Sequence, residues 1–345
     1  MRFLFSLVFA CSLFAVDDPG TAEVDKIILD FDNTIRAHTQ KLIAAKSDAE
    51  RAALSTQFPK PDSLAPTMLK IMQDPANEAA STKALCWLVS RATNLPEGQT
   101  AVAMLRDQAS GRKGLTQVLD FLSHSNPMLA EPILRAVREK NPNVEEKASA
   151  TYGLGMVLFG KSETGDKAAL AEATQLLTEM LTNYKDVVVN GFKLSDQAAA
   201  TLFEIENIQV GKPMPEIEGK DVEGLPFKLS DYRGKVAVVV FWGSWCHACH
   251  ATLDGVRAAM QPHGEKVVLL GVNTDPAEKL KELIKTENIT WRNWADEFNR
   301  GPISALFNIR HWPTIFVVDA KGVMRGKDVP GGGLDKMITE VLAAP

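Results

Sequence analysis

Cysteine and positive charge are both scarce in this chain of 345 residues. Its four cysteines are too few to hold a chain of this length together as a disulfide framework. Lysine and arginine number 38 against 43 aspartates and glutamates, which gives a net charge of −5. Because a nucleic-acid-binding domain normally carries an excess of basic residues, we expect no nucleic-acid partner.

The chain has one long apolar run, residues 3–15, which directly follows Arg2 at the N-terminus. No comparable run occurs later in the sequence. The N-terminal run is too short to span a bilayer but suits the apolar region of a signal peptide. We therefore predict that residues 1–15 are a signal peptide and that the exported chain is periplasmic or extracytoplasmic, without a stable membrane span. Two alternatives stay open: a lipid anchor on Cys11, and a hydrophobic N-terminal helix that the mature protein keeps.

Helical periodicity dominates residues 16–206. Apolar residues recur at steps of three and four from Val24 to Ile43, which predicts one buried helix face. Further helices are predicted around 68–72, 84–89, 99–109, 114–123, 130–139, 144–159, 167–184 and 194–206. Within residues 151–184, the pair Leu154-Gly155 resembles the close-packing point of a tetratricopeptide unit. We predict an α-helical domain, either tetratricopeptide-like or an irregular bundle, which binds a partner protein or packs against the remainder of the chain.

The pattern changes at residues 207–219, where glycine and proline cluster as they do in a linker. Strands are then predicted over 235–242, 267–272 and 314–318, with a turn at 319–322 that pairs residues 323–325 back. Helices are predicted over 248–260, 277–285 and 334–342. This alternation predicts an α/β domain with a mixed sheet over residues 220–345, so the fold class of the chain is α followed by α/β.

Most of the reactive chemistry falls in the last third, which holds five of the six tryptophans and four of the six histidines. Cys246 and Cys249 lie where a predicted strand ends and a helix begins. The free N–H groups and the dipole of a helix N-terminus favour a thiolate, so we expect Cys246 to be a nucleophile with a lowered pKa. Cys249, one turn further on, is placed to resolve a mixed disulfide. A protonated His247 would stabilise the thiolate further and make the pair more oxidising.

Sequence landmarks around this pair occur in a family-specific order. They are Gly211-Lys212-Pro213-Met214-Pro215, Phe227 to Lys235, Phe241-Trp242, Trp245-Cys246, Cys249 and Trp312-Pro313-Thr314, followed by Gly322. Through them, residues 208–345 resemble the TlpA/ResA-type thiol-disulfide oxidoreductases of the AhpC/TSA-redoxin superfamily, which have the thioredoxin fold. The resemblance implies that Cys246 and Cys249 exchange disulfides with protein thiols, and that an upstream redox donor or acceptor resets the pair. No cofactor and no metal ion is expected.

The same resemblance implies a substrate groove beside the cysteines. Pro313 should follow a cis peptide bond and face the cysteine pair, with Trp312 and Thr314 touching the bound partner chain. Trp245 and His247 complete the residues expected to tune the redox pair or to line the groove.

The chain departs from the family at the expected proton-handling positions. Thr252 stands where many reductases of this type carry glutamate, and Val240 stands where thioredoxins bury an acid. Ala248 replaces the proline that often precedes the second cysteine. Three histidines are the alternative candidates for proton transfer: His247, His250 and His311.

Other interpretations of the cysteine pair remain open at this point. Cys246, Cys249 and His250 match the C-x-x-C-H pattern of covalent c-type haem attachment. The same three residues, with a distant fourth ligand, would make a zinc site. A degenerate redoxin domain on a non-enzymatic helical scaffold is a further alternative. Cys86 lies in an apolar helix and is predicted to be a packing residue.

A separate motif lies near the N-terminus, where residues 28–35 contain the pattern D-x-D-x-T. In haloacid-dehalogenase-type phosphatases, which this motif resembles, Asp30 would be the nucleophile and Asp32 the acid/base, with Mg²⁺ between them. The competing prediction is the helix from Val24 to Ile43, whose apolar stripe runs unbroken through the motif.

Overall fold

The computed structural model describes residues 19–287, 289–297 and 301–344. The predicted signal peptide and Cys11 therefore lie outside the described residues. Contacts divide the chain into two compact units, Met1–Asp196 and Gln197–Pro345. Across the described residues, no helix is both long enough and apolar enough to cross a membrane.

The first unit is helical, as predicted. Its helices are α1 (Ala22–Ala44), α2 (Asp48–Thr56), α3 (Ala65–Met72), α4 (Glu78–Arg91), α5 (Pro96–Asp107), α6 (Thr116–Ser125), α7 (Pro127–Lys140), α8 (Val144–Ser162) and α9 (Lys167–Asn183). A short antiparallel hairpin, β1 (Val188–Val189) with β2 (Phe192–Lys193), follows them and was not predicted. Helix α10 (Leu194–Asn207) then begins in the first unit and ends in the second.

Helix α1 overturns the phosphatase hypothesis. It buries Val24, Phe31 and Ile35 on one face, as the apolar stripe predicts, but Ile43 at the end of the predicted stripe is 72% exposed. The two aspartates of the motif lie in the middle of this helix, and Asp32 forms an ion pair of 3.1 Å with Arg91. The described part of the first unit contains no parallel strands that could carry a phosphatase site. The D-x-D-x-T match is therefore part of a packed helix, in which Asp30 is exposed and the Asp32 side chain is only 10% exposed.

Helices α8 and α9 pack closely at the predicted glycine. A Cβ atom built on Gly155 would lie 3.1 Å from the side chain of Leu177, so α9 approaches the backbone of α8. At the start of α9, the Asp166 carboxylate accepts a hydrogen bond from Ala169 N, which satisfies one of the unpaired N–H groups of the first turn. The assignment of this region to a tetratricopeptide array stays a prediction.

The second unit is a thioredoxin-like domain with a five-stranded mixed sheet. Its strands lie in the order β7 (Arg292–Ala295), β6 (Val267–Asn273), β5 (Val236–Trp242), β8 (Thr314–Val318) and β9 (Met324–Lys327). Strands β7, β6 and β5 run parallel to one another. Strand β8 pairs antiparallel with β5 on one side and with β9 on the other. The remaining elements are α11 (His247–Met260), α12 (Ala277–Thr286), α13 (Pro302–Leu306), α14 (Leu334–Ala343) and a hairpin of β3 (Glu218–Lys220) with β4 (Pro226–Lys228). Strand β7, helix α13 and the β3–β4 hairpin were not predicted.

Strand β5 is the centre of this domain, since all seven of its residues are buried. Successive side chains point to opposite faces of a sheet. Val238, Val240 and Trp242 accordingly join one apolar cluster together with α11 and α14. Val239 and Phe241 join a second cluster on the opposite face. This burial fixes the end of β5, from which the cysteine pair follows.

The predicted linker is packed rather than extended. Ile208, Met214 and Ile217 are buried in the second apolar cluster of this domain. Gly211 N donates to Met324 O at 2.8 Å, and Met214 N donates to Gly322 O at 2.9 Å. Residues 207–219 therefore belong structurally to the second unit.

Candidate active site

The cysteine pair lies at the junction between β5 and α11. Cys246 is the N-cap residue of α11, and Cys249 lies one turn into that helix. The two residues form a disulfide, with their Cα atoms 5.3 Å apart. Cys249 N donates to Cys246 Sγ at 3.1 Å, so the helix N-terminus points an N–H group at this sulfur.

The two cysteines differ slightly in burial. Cys246 is 7% exposed, whereas Cys249 is fully buried at 0%. Both belong to the apolar cluster that also contains Val240 and Leu253. The roles of nucleophile and resolving cysteine remain predictions that this asymmetry supports.

A buried carboxylate holds the loop in front of Cys246. Asp275 follows β6, and its Oδ2 accepts from Ser244 N at 2.8 Å while its Oδ1 accepts from Ser244 Oγ at 2.6 Å. Asn273 Nδ2 donates to the same carboxylate at 2.9 Å. Sequence reasoning missed Asp275, because its partner lies 31 residues away along the chain. Asp275 follows the end of β6, which runs parallel to β5. Functional side chains often lie at this end of parallel strands, so its position is a sequence signal that could have identified it.

His250 contacts the same loop. Its Nε2 lies 3.1 Å from Ser244 O, and its Nδ1 lies 3.3 Å from Glu287 Oε2. Ser244 is therefore fixed at its N–H, its hydroxyl and its carbonyl oxygen. Such fixation orders the turn that sets the position of Cys246 relative to α11.

Two tryptophans stand beside the disulfide loop. Trp245 is 49% exposed, and its Nε1 lies 3.3 Å from Thr274 Oγ1. The ring of Trp312 meets the ring of Trp245 edge to face, with centroids 5.5 Å apart. The peptide bond between Trp312 and Pro313 is cis, in agreement with the expectation. The structure thus brings Trp245, Trp312 and Pro313 to the cysteine side of the domain.

The other predicted groove residues differ in exposure. His247 is exposed on the first turn of α11. Thr314 is buried, and its hydroxyl donates to His311 O at 2.8 Å, so its side chain stabilises the loop internally. Contact between Thr314 and a partner chain stays a prediction.

His311 is tied to the end of β9. Its Nε2 lies 3.1 Å from Asp328 Oδ1. Burial disfavours the charge of Asp328, but the hydrogen bond and positive charge of His311 outweigh that effect and hold the pKa of this carboxyl below its usual range. This ion pair links the residue in front of Trp312 to the neighbouring strand.

The usual proton-handling carboxylates are replaced by uncharged side chains, as the sequence indicates. Val240 is buried in the apolar cluster beneath the cysteines, and Thr252 Oγ1 donates to Ala248 O at 2.9 Å inside α11.

Asp296 is a buried carboxylate elsewhere in the second unit. Its burial raises the pKa of the carboxyl, and the hydrogen bonds that the carboxylate accepts from Ser304 and Ile303 act in the opposite direction. Those hydrogen bonds place Asp296 at the start of α13 and give it a capping role there.

The haem and zinc hypotheses stay alternatives that the structure does not test. Thioether attachment and zinc ligation would both need the two sulfurs reduced and separate, whereas Cys246 and Cys249 form a disulfide here. The ring nitrogens of His250 already face Ser244 and Glu287. The described residues contain no group of three or more His, Cys, Asp or Glu side chains arranged to hold a metal ion.

Cys86 takes no part in this site. It lies on α4 in the first unit, is half-buried, and its Sγ lies 3.7 Å from Gly114 O. Burial of the thiol raises the pKa of Cys86 to about 12, so the group stays protonated and unreactive near neutral pH.

Comparison with known proteins places this chain among redox proteins. The sequence profile of the AhpC/TSA family matches residues 210–327. Thiol:disulfide interchange protein DsbE of Pseudomonas fluorescens biotype C is 32% identical over 139 residues, which cover 39% of this chain and 74% of that protein. Thioredoxin-like protein YneN of Bacillus subtilis is 28% identical over 133 residues, or 37% of this chain and 75% of that protein.

A further relative and a solved structure give similar coverage. Thiol-disulfide oxidoreductase ResA of Bacillus cereus is 27% identical over 119 residues, or 34% of this chain and 68% of that protein. The thioredoxin domain of a thiol-disulfide oxidoreductase from Bacteroides vulgatus is 23% identical, with a TM-score of 0.35, and the match covers 38% of this chain and 96% of that domain.

Proposed function

The chain belongs to the AhpC/TSA family, among its thiol-disulfide oxidoreductases, and from this premise we propose that it is an exported enzyme that exchanges disulfides with protein substrates. Cys246 is the proposed nucleophile and Cys249 the resolving cysteine. The observation that carries the proposal is the Cys246–Cys249 disulfide at the N-terminus of α11, in which Cys246 is the less buried of the two residues.

The proposed reaction consists of two exchange steps. In the reductive direction, the Cys246 thiolate attacks one sulfur of a substrate disulfide, forms a mixed disulfide and releases the other sulfur as a thiolate, which takes up a proton. The Cys249 thiolate then attacks Cys246 Sγ and expels the second substrate sulfur. The substrate disulfide has become two thiols, and the enzyme dithiol has become the disulfide. An upstream dithiol restores the enzyme, and the oxidative direction reverses each step.

The geometry around the loop supports the proposed substrate groove. A partner chain would lie against Trp245, Trp312 and Pro313, where the two tryptophan rings meet edge to face. His247 is exposed next to Cys246, and its protonated form would favour the thiolate at the helix N-terminus. His247, His250 and His311 are the proposed proton-handling candidates, since Val240 and Thr252 cannot take that role.

The decisive experiment is mechanism-based trapping. In Cys249→Ser, the mixed disulfide at Cys246 can form but cannot be resolved from within the enzyme. We expect this variant to accumulate covalent adducts with disulfide-bonded proteins that dithiothreitol releases. Cys246→Ser is the matched control and should trap nothing. Failure of the Cys249→Ser chain to trap any partner would favour the non-enzymatic scaffold.

Export is tested separately on the full-length chain. Expression in a bacterium with a periplasm should give a soluble periplasmic product that lacks about 15 N-terminal residues, as a cleaved signal peptide requires. N-terminal sequencing of the fractionated product measures this. An uncleaved chain in the cytoplasmic fraction would refute the localisation without affecting the redox proposal.

A further inference from the structure

A buried carboxylate on α10 lies behind the loop that carries Trp312 and Pro313. Glu204 is only 3% exposed, although glutamate is rarely buried without partners. It lies on the part of α10 that belongs to the second unit, six residues before the family match begins at residue 210. Phe203 on the same helix, and Ile208 directly after the helix, join the apolar cluster that also includes Ile309 and Trp312.

The partners of Glu204 lie at the two ends of the loop. On the side that leads into Trp312, Asn308 Nδ2 donates to Glu204 Oε2 at 2.7 Å, and Arg310 donates to Oε1 at 3.1 Å. On the far side, Lys327 Nζ donates to Oε1 at 2.6 Å from the end of β9. Strand β9 pairs with β8, which begins at Thr314 directly after the cis bond.

Glu204 therefore links two parts of the domain. One is residues 308–310, which precede the cis bond. The other is the end of β9, the strand that pairs with β8 after the cis bond. The neighbouring His311–Asp328 pair joins the same two segments one residue further along the chain. These contacts, together with the edge-to-face packing of Trp312 on Trp245, determine where the groove side of the loop stands relative to Cys246.

We propose that Glu204 is a positioning residue for the substrate loop, which acts through Arg310 and Asn308 to hold Trp312 and Pro313 beside the Cys246–Cys249 pair. This inference rests on the proposed function. Glu204 takes no part in sulfur exchange itself. It sets how well a protein disulfide is bound and oriented, so its loss should affect protein substrates and spare small ones.

The test compares a protein disulfide with a small reductant. Glu204→Gln keeps the shape of the side chain but removes the charge that Arg310 and Lys327 share. Glu206→Gln is the matched control, because it makes the same change at an exposed position of the same helix. The two readouts are the steady-state reduction of insulin by dithiothreitol, and the direct reduction of the Cys246–Cys249 disulfide by dithiothreitol, followed by tryptophan fluorescence.

We expect Glu204→Gln to raise KM for insulin by about tenfold, as misplacement of a positioning element does, and to leave the dithiothreitol rate within about twofold of wild type. Arg310→Gln is the second variant. It leaves the Glu204–Lys327 ion pair in place and so preserves a partner for the buried carboxylate. We expect Arg310→Gln to raise KM for insulin as well. The double variant should raise KM by less than the product of the two single fold-changes.

Three results would overturn the inference. If both variants match Glu206→Gln in KM for insulin, Glu204 has no positioning role. If they slow the dithiothreitol reaction as much as the insulin reaction, the effect is general damage to the fold. If the wild-type disulfide does not exchange with dithiothreitol at all, the proposed function fails and this inference fails with it.

Discussion

The Asp275 carboxylate gives the strongest quantitative prediction for the active-site loop. Asp275→Ala removes three hydrogen bonds: those from Ser244 N, Ser244 Oγ and Asn273 Nδ2. A hydrogen bond to a charged group contributes roughly 1.5–3 kcal/mol, and the half-buried Ser244 hydroxyl can replace its partner with water. The two remaining donors stay without an acceptor, so we expect a loss of about 3–6 kcal/mol in the free energy of unfolding.

Urea unfolding of the oxidised chain, followed by tryptophan fluorescence, measures this loss. The probe reports mainly on the second unit, since five of the six tryptophans lie in the last third of the chain. Asp275→Asn retains an oxygen acceptor and should lose less than the alanine variant. Asp254→Ala is the control, because its ion pair with Arg257 is exposed and contributes about 1 kcal/mol or less. A loss below about 1 kcal/mol in Asp275→Ala would refute the view that this carboxylate holds the loop.

Two further predictions concern charged side chains of the second unit. Because the folded pKa of Asp328 is lowered, its carboxylate stabilises the fold above the ordinary carboxyl range of about 4, and this contribution disappears as the pH falls through the folded pKa. The difference in urea midpoint between wild type and Asp328→Asn should therefore narrow on acidification from pH 6 to pH 3, and a constant difference would contradict this linkage. His247→Ala should lower the reduction potential of the pair by about 5–20 mV at pH 6, since one surface charge near a helix terminus contributes about 0.3–1 kcal/mol. Equilibration with glutathione measures this shift, and an unchanged or raised potential would exclude His247 as a tuning residue.

Local patterns in the sequence predicted the central elements of the second unit. Strand β8 spans Thr314–Val318 as predicted, because its apolar, β-branched run has one stable environment, the interior of the sheet. Strand β7 was missed because Arg292-Asn293-Trp294-Ala295 neither alternates nor forms an apolar run. Helix α13 has five residues, too few for helical periodicity to be visible.

Glu204, which supports the loop before Trp312, could not be found in this way. Glu204 meets Arg310 across 106 residues and Lys327 across 123, and no local pattern records such a distance. The D-x-D-x-T match shows the opposite error, in which a short motif suggested chemistry that the surrounding helix excludes. In that region the apolar stripe of α1 predicted the structure correctly. A periodic pattern along a helix of 23 residues is stronger evidence than a chance match at the three motif positions.

The relative reactivity of the two cysteines tests the proposed chemistry most directly. The reduced chain is treated with a limiting amount of iodoacetamide at pH 7, and mass spectrometry follows the modification of each cysteine. Since Cys246 caps the helix and is 7% exposed, whereas Cys249 is fully buried at 0%, we expect Cys246 to react at least about tenfold faster. Equal rates, or faster modification of Cys249, would contradict the assignment of Cys246 as the attacking sulfur.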